Sequence, residues 1–438
     1  MKTYLKENIA NLKFIEKFIK LLIFFIPVSL ILGNAVLNIN SFLIILLLFC
    51  IGIFNKKFFL NYKKIFIVFF FFFILLLLNI IFSINQSSSI ISTLGIVRYF
   101  FLMIAILYCL ETDENFLVNF SKYLLLVLTF VALDTLYQYF FGQDIFGIKN
   151  TTPHGQRLNG PFGNEYIVGS YLSKLFFISL SYFILKKKSF KILFLYLIFI
   201  LSITLLTKER MASLMLVSTC LIFLFFLKNL ELKKKLIVVI SFLILTSSLV
   251  YKNESIKNHL VFRSLEQLGV VTDLNQKKIN VKKDNRFFFD SQWGAHFLTA
   301  YNIFLDNPVF GTGIKTFRKE CSNSKYDKIN SSSVEIRCNT HPHNIYLEII
   351  SEGGLILFIS FVFLNIYLFY KLILNIFIKK INVDLSLLTF CSFLLLFSPF
   401  QTTGSFFSTW NGFYYWLIYA FIIFVLNKKN DFNIKKLI

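Results

Sequence analysis

Apolar residues fall in long runs along this chain, many of them close to the length needed to cross the hydrocarbon of a bilayer, and polar residues collect in the connections. The pattern predicts helices near 15–33, 38–54, 65–84, 94–110, 120–140, 166–185, 190–207, 211–227, 235–251, 344–369, 384–400 and 411–427, about twelve spans. The apolar stretch from Leu21 to Leu32 follows a lysine-rich arm and has the look of a signal peptide. No small-x-small cleavage site follows it, and a second apolar run starts near Ser41, so an uncleaved first helix entering a hairpin is expected.

One connection, residues 252–342, reads like soluble protein. The expected organisation is therefore an N-terminal membrane part at 1–251 with nine helices, a loop domain at 252–342, and three further helices in 343–438. Within the loop, Phe287 to Leu305 has apolar residues at helical spacing and runs into Asp306-Asn307-Pro308, which predicts a helix stopped before the proline. Gly311-Thr312-Gly313 then reads as a turn. No strand precedes it and no lysine-serine pair follows, which argues against a phosphate loop.

Composition agrees with the pattern: 56% of the 438 residues are hydrophobic and 18% aromatic, more than a soluble globular chain carries. The fold class is an all-α polytopic membrane protein. A formal charge of +22 would suggest nucleic acid in a soluble chain, but here it follows the topology. Lys56, Lys57, Lys63 and Lys64, then Lys186 to Lys188, Lys228 and Lys233 to Lys235, Lys379 and Lys380, and the tail's Lys428, Lys429, Lys435 and Lys436 all fall in alternate connections. Both termini are expected in the cytoplasm, with the 252–342 loop on the far side. No nucleic-acid partner is expected.

Cys50, Cys109, Cys220 and Cys391 lie in predicted spans, where a thiol behaves as a small apolar residue. Cys321 and Cys338 are the two in the external loop, and in an oxidising compartment they make a natural disulfide. The nearby histidines do not supply zinc ligands at a recognised spacing, so no metal is expected.

Candidate chemistry gathers where the loop returns to the tenth predicted helix, at His341-Pro342-His343-Asn344. An imidazole at the mouth of a membrane cavity exchanges a proton at little cost near neutral pH. Arg157 before the sixth helix, Lys208, Glu209 and Arg210 between the seventh and eighth, and Arg286 in the loop are expected on the same side. Guanidinium forks match paired phosphate oxygens and suit a diphosphate-bearing lipid. Equally, Lys208, Glu209 and Arg210 could simply cap a tight turn and pair among themselves. Arg98, inside the fourth helix, requires an internal partner or a wet cavity.

These motifs together resemble the O-antigen ligase and polymerase superfamily of bacterial membrane glycosyltransferases. The resemblance lies in about twelve helices, one large periplasmic loop, and a late helix opening on a His-Asn pair. That helix is similar to the family pattern of histidine, a small polar residue, nine residues, glycine, two residues and a small residue, supplied by His343, Asn344 and Gly354, with Leu357 in the last position. Thr207-Lys208-Glu209-Arg210-Met211-Ala212 resembles the family's Ser-Arg-Gly-Ala turn, Arg286 resembles its loop arginine, and 307-NPVFGTGIKTF resembles its Pro-x-x-Gly-x-Gly segment.

The resemblance implies a GT-C-like fold in the bacterial inner membrane. The activity it implies is cofactor-free, metal-independent, inverting transfer of a glycan from undecaprenyl diphosphate to an acceptor hydroxyl, on lipid A-core for a ligase or on another repeat unit for a polymerase. His343 would be the base by its family position, with His341 the competing imidazole. Arg210 and Arg286 would stabilise the leaving diphosphate, and Arg157, Lys208, His341 and Asn344 would contact substrate. A transporter or flippase using Arg98 and Arg157 is the alternative of another class. Against it stand the large external loop and the lack of an internal repeat with paired broken helices.

Overall fold

The computed structural model describes residues 2–55, 57–150, 157–227, 231–267, 288–379 and 382–428. Arg286 lies outside the described residues. Each predicted span coincides with a helix: α1 (Lys2–Leu32), α2 (Asn34–Phe54), α3 (Lys63–Ile81), α4 (Gln86–Thr112), α5 (Phe116–Phe141), α6 (Val168–Leu185), α7 (Phe190–Leu206), α8 (Arg210–Phe226) and α9 (Leu232–Lys252), then α10 (Gln292–Asp306) in the long connection, then α11 (Ile345–Ile373), α12 (Val383–Phe397) and α13 (Thr409–Asn427). Among the described residues, 8 helices are long and apolar enough to cross a membrane, while α7, α8 and α12 are shorter apolar helices. In hydrocarbon every backbone N–H and C=O must be satisfied within the chain, so unbroken apolar runs can only be helices.

Helices α5, α6 and α12 pack together, as do α2, α4 and α13, around one core of leucine, isoleucine and aromatic side chains. Arg98 on α4 finds its partners inside this bundle. Its guanidinium donates to Asn38 Oδ1 on α2 at 2.7 Å, to the Tyr99 hydroxyl at 2.6 Å and to Thr409 Oγ1 on α13 at 3.0 Å. The cation ties three helices together, which meets the need for internal partners.

Helix α11 is broken near its start. Gly354 has φ +71 and ψ −178, and the backbone groups this frees are taken up by the segment before Gly313. Leu355 N donates to Pro308 O at 2.8 Å, Thr312 N to Ser351 O at 3.1 Å, and Gly313 N to Glu352 O at 2.8 Å. A Cβ on Gly354 would sit 2.3 Å from Val309 O, so a side chain here meets both a clash and a disfavoured φ. Asn79 of α3 completes the joint, donating to Phe310 O and Glu352 O and accepting from Ile314 N. The Gly-Thr-Gly turn is thus a plug in a helix break.

The rest of the long connection builds a small core from Ala300, Ile303, Phe317, Cys321 and Tyr326, packed against Leu347 of α11. Cys321 and Cys338 are joined by a disulfide with Cα atoms 5.3 Å apart. Ser291 caps α10 by accepting from Gly294 N at 3.1 Å, which starts that helix at Gln292.

Candidate active site

The chain enters α11 through a constrained corner. His343 has φ +56, a left-handed conformation that costs a bulky residue about 1–3 kcal/mol and persists only where its surroundings over-determine it. Two neighbours do so. Thr403 N donates to His343 O at 2.7 Å, and Asn344 caps α11, its Oδ1 accepting from Tyr346 N and Leu347 N while its Nδ2 donates to Pro399 O and Gln401 O. An amide has two donors and two acceptor lone pairs, so these four bonds use the whole group. Asn344 therefore acts by fixing the backbone beside His343, and direct contact with substrate has no free atom to use.

Three imidazoles meet at this corner. The ring of His343 lies 4.2 Å from His341 and 5.4 Å from His296, centre to centre, with Trp293 edge-on at 4.8 Å. His296 and Trp293 stand three apart on α10 and so share a face. His341 Nε2 sits 3.2 Å from Thr403 O, and His296 Nδ1 sits 2.9 Å from Arg337 O. A carbonyl only accepts, so those two nitrogens carry the protons. The Nε2 atoms of His296 and His343 are buried and have no hydrogen-bond partner among the described residues. Burial lowers the pKa of all three rings; for His343, with the charges of His341 and His296 adding to it, the value falls to about 3. At neutral pH His343 is an uncharged ring.

Below the imidazoles, Glu348 and Glu352 stand one turn apart on α11, both fully buried. Glu352 accepts from Lys315 N and Phe317 N, and Glu348 accepts from Phe406 N and the Ser405 hydroxyl. The two carboxylates bind the loop on one side and the approach to α13 on the other.

The second half of the site is cationic. Glu209 caps α6, accepting from Gly169 N at 2.6 Å and Ser170 N at 3.0 Å. Lys208, with φ +60, donates to Ser255 Oγ at 2.7 Å. Arg157 donates to Tyr166 O at 2.7 Å, with its guanidinium over the Tyr166 ring. Nearby, His259 lies in the π-helical turn Lys257–Phe262 and Arg263 opens the helix Arg263–Gln267. Burial first, and then the charges of Arg210, Arg263, Arg157 and Lys208, lower the pKa of His259 to about 4. Four cations therefore converge on one side chain. A small cavity walled by Ser170, Lys174 and Met211 on one side and Thr403 on the other links the Arg210 turn to the residue that both His341 and His343 grip.

The structure thus brings His341 and His343 together, and Arg157, Lys208 and Arg210 together. Sequence reasoning missed His296, Trp293, His259 and Arg263.

The fold is that of an all-α, multi-pass membrane protein. Residues 195–362, from α7 into α11, match the family model described as O-antigen ligase. That stretch holds Lys208, Arg210 and all three clustered imidazoles, and the match supports a likeness to the O-antigen ligase and polymerase superfamily. No curated protein matches the chain.

Proposed function

We propose that this protein is an O-antigen ligase-like glycosyltransferase of the bacterial inner membrane, moving a glycan from undecaprenyl diphosphate to a hydroxyl of lipid A-core on the periplasmic side. The observation that carries the reading is the buried Nε2 of an uncharged His343, without a hydrogen-bond partner among the described residues, at a corner that Thr403 joins to the cavity beside the Arg210 turn. The acceptor hydroxyl gives its proton to His343 as its oxygen attacks the anomeric carbon. The bond from that carbon to the diphosphate breaks on the opposite face, which inverts the configuration, and the diphosphate leaves with the electron pair. Arg210, Lys208 and Arg157, with Arg286 and Arg263, stabilise the charge that grows on it. The anionic donor also favours protonation of His343, strengthening the base once substrate is bound. Metal takes no part in this scheme.

Polymerisation of repeat units by the same chemistry is the second reading. It is favoured by Leu357, which fills the place of the small residue in the ligase-like pattern and packs against Gly353, where a Cβ would lie 2.4 Å from Leu357 Cδ2. A transporter would need Arg98 free to meet cargo, and its guanidinium is instead engaged within the bundle.

The test is purified protein with lipid-diphosphate glycan and acceptor, with and without chelator. Product with inverted linkage, lost in His343→Ala and unaffected by chelator, is expected; turnover by His343→Ala at matched folding would remove the proposed base. In a deletion strain, polymer that no longer reaches lipid A indicates a ligase, and single repeat units on lipid A indicate a polymerase.

A further inference from the structure

Between α3, α4, α11 and α13 runs an apolar groove of about 460 Å³ that starts near Phe361 and Phe406 and ends, far along α11 from His343, at Lys371 and Lys379. Its wall includes Phe69, Phe361 and Trp416, and Lys64, Lys371 and Lys379 also line it. None of the three lysines has a carboxylate partner among the described residues. From Phe361 to Lys371 is about ten residues of helix, or roughly 15 Å. That is half of a ~30 Å hydrocarbon core, so the apolar wall is one leaflet deep and the ammonium groups stand at headgroup level.

We propose that this groove binds an acidic glycerophospholipid, with its phosphate on Lys64, Lys371 and Lys379 and an acyl chain along the aromatic wall. Basic pockets between membrane helices select anionic headgroups, because a zwitterionic lipid brings its own cation against the lysines. The glycan donor is excluded by position: a diphosphate held by these lysines would lie most of a helix length from His343. The site is independent of the catalytic reading.

Native mass spectrometry of the full-length protein, with phosphatidylglycerol or phosphatidylcholine of matched chains added, tests it. Phosphatidylglycerol is expected to be retained about tenfold more, with the preference lost in K64Q/K371Q/K379Q and both lipids displaced by the groove-filling Val68→Trp. Equal retention of the two lipids by the unaltered protein, an unchanged preference in the triple variant, or competitive displacement of phosphatidylglycerol by a polyprenyl diphosphate would each overturn the proposal. The headgroup comparison on the unaltered protein decides even if a variant fails to fold.

Discussion

Thr403 and His343 share a backbone hydrogen bond, N–H to carbonyl at 2.7 Å, while the carbonyl of Thr403 lies 3.2 Å from Nε2 of His341. One residue of the connection between α12 and α13 thereby sets the angle at which two imidazoles enter the site.

Replacing His343 should separate chemistry from folding. Asparagine tolerates the left-handed conformation better than histidine, so His343→Asn should insert and melt at or above the unaltered protein. Glycan transfer should fall about 10²–10⁴-fold, the usual cost of losing a positioned base. His341→Ala, whose ring is engaged with Thr403, should be milder in turnover. Comparable turnover by His343→Asn at equal melting temperature would contradict the assignment.

The lowered pKa of His343 predicts an unusual pH profile. A base protonated only near pH 3 in the free enzyme should leave kcat/KM without the acid limb near 6.5 that an ordinary histidine gives. Stability should move the other way. All three imidazoles have folded values below their unfolded ones, so the unfolded chain takes up more protons as pH falls from 6.5, and the melting temperature should drop between pH 7 and 5. A kcat/KM titration and thermal melts across that range check both.

Gly354→Ala should cut accumulation of folded protein sharply, because its methyl meets Val309 O in a left-handed backbone. Gly95→Ala, which meets nothing within 4 Å on α4, should be neutral or slightly stabilising. Size-exclusion profiles of the two variants in the same detergent make the comparison.

Alkylation without reductant should leave Cys321 and Cys338 unmodified in the intact mass. Removing the disulfide should loosen the connection that carries Arg337, whose carbonyl holds His296, at a typical cost of about 2–4 kcal/mol. Thermal melts of Cys321→Ser/Cys338→Ser measure it.

The helices were legible because a bilayer leaves an apolar run one conformation to adopt, and His341 and His343 because they stand where polarity changes abruptly. His296 was hidden for the opposite reason. It lies on an amphipathic helix, where a histidine reads as core, and only the return of the chain from Arg337 to His343 brings it to the site. Arg263 and His259 fall in a long loop exempt from charge rules, so nothing local marked them. Glu348 and Glu352 look like solvated charges at a helix start, and their burial depends on partners at 315–317 and 405–406. Gly311 and Gly313 announced a turn, but the break in α11 that receives it is a contact across the fold.

Asn79 has a consequence for how the protein is made. It is buried in α3, and its partner carbonyl on Glu352 lies 273 residues further along the chain. At about 5–20 residues per second, a ribosome needs some tens of seconds to supply that partner. Through that interval an apolar helix must hold a bare amide in or beside the membrane. The joint beside the imidazole corner therefore closes near the end of synthesis, and a chain arrested before Glu352 would leave the earlier helices without the contact that locks them to it.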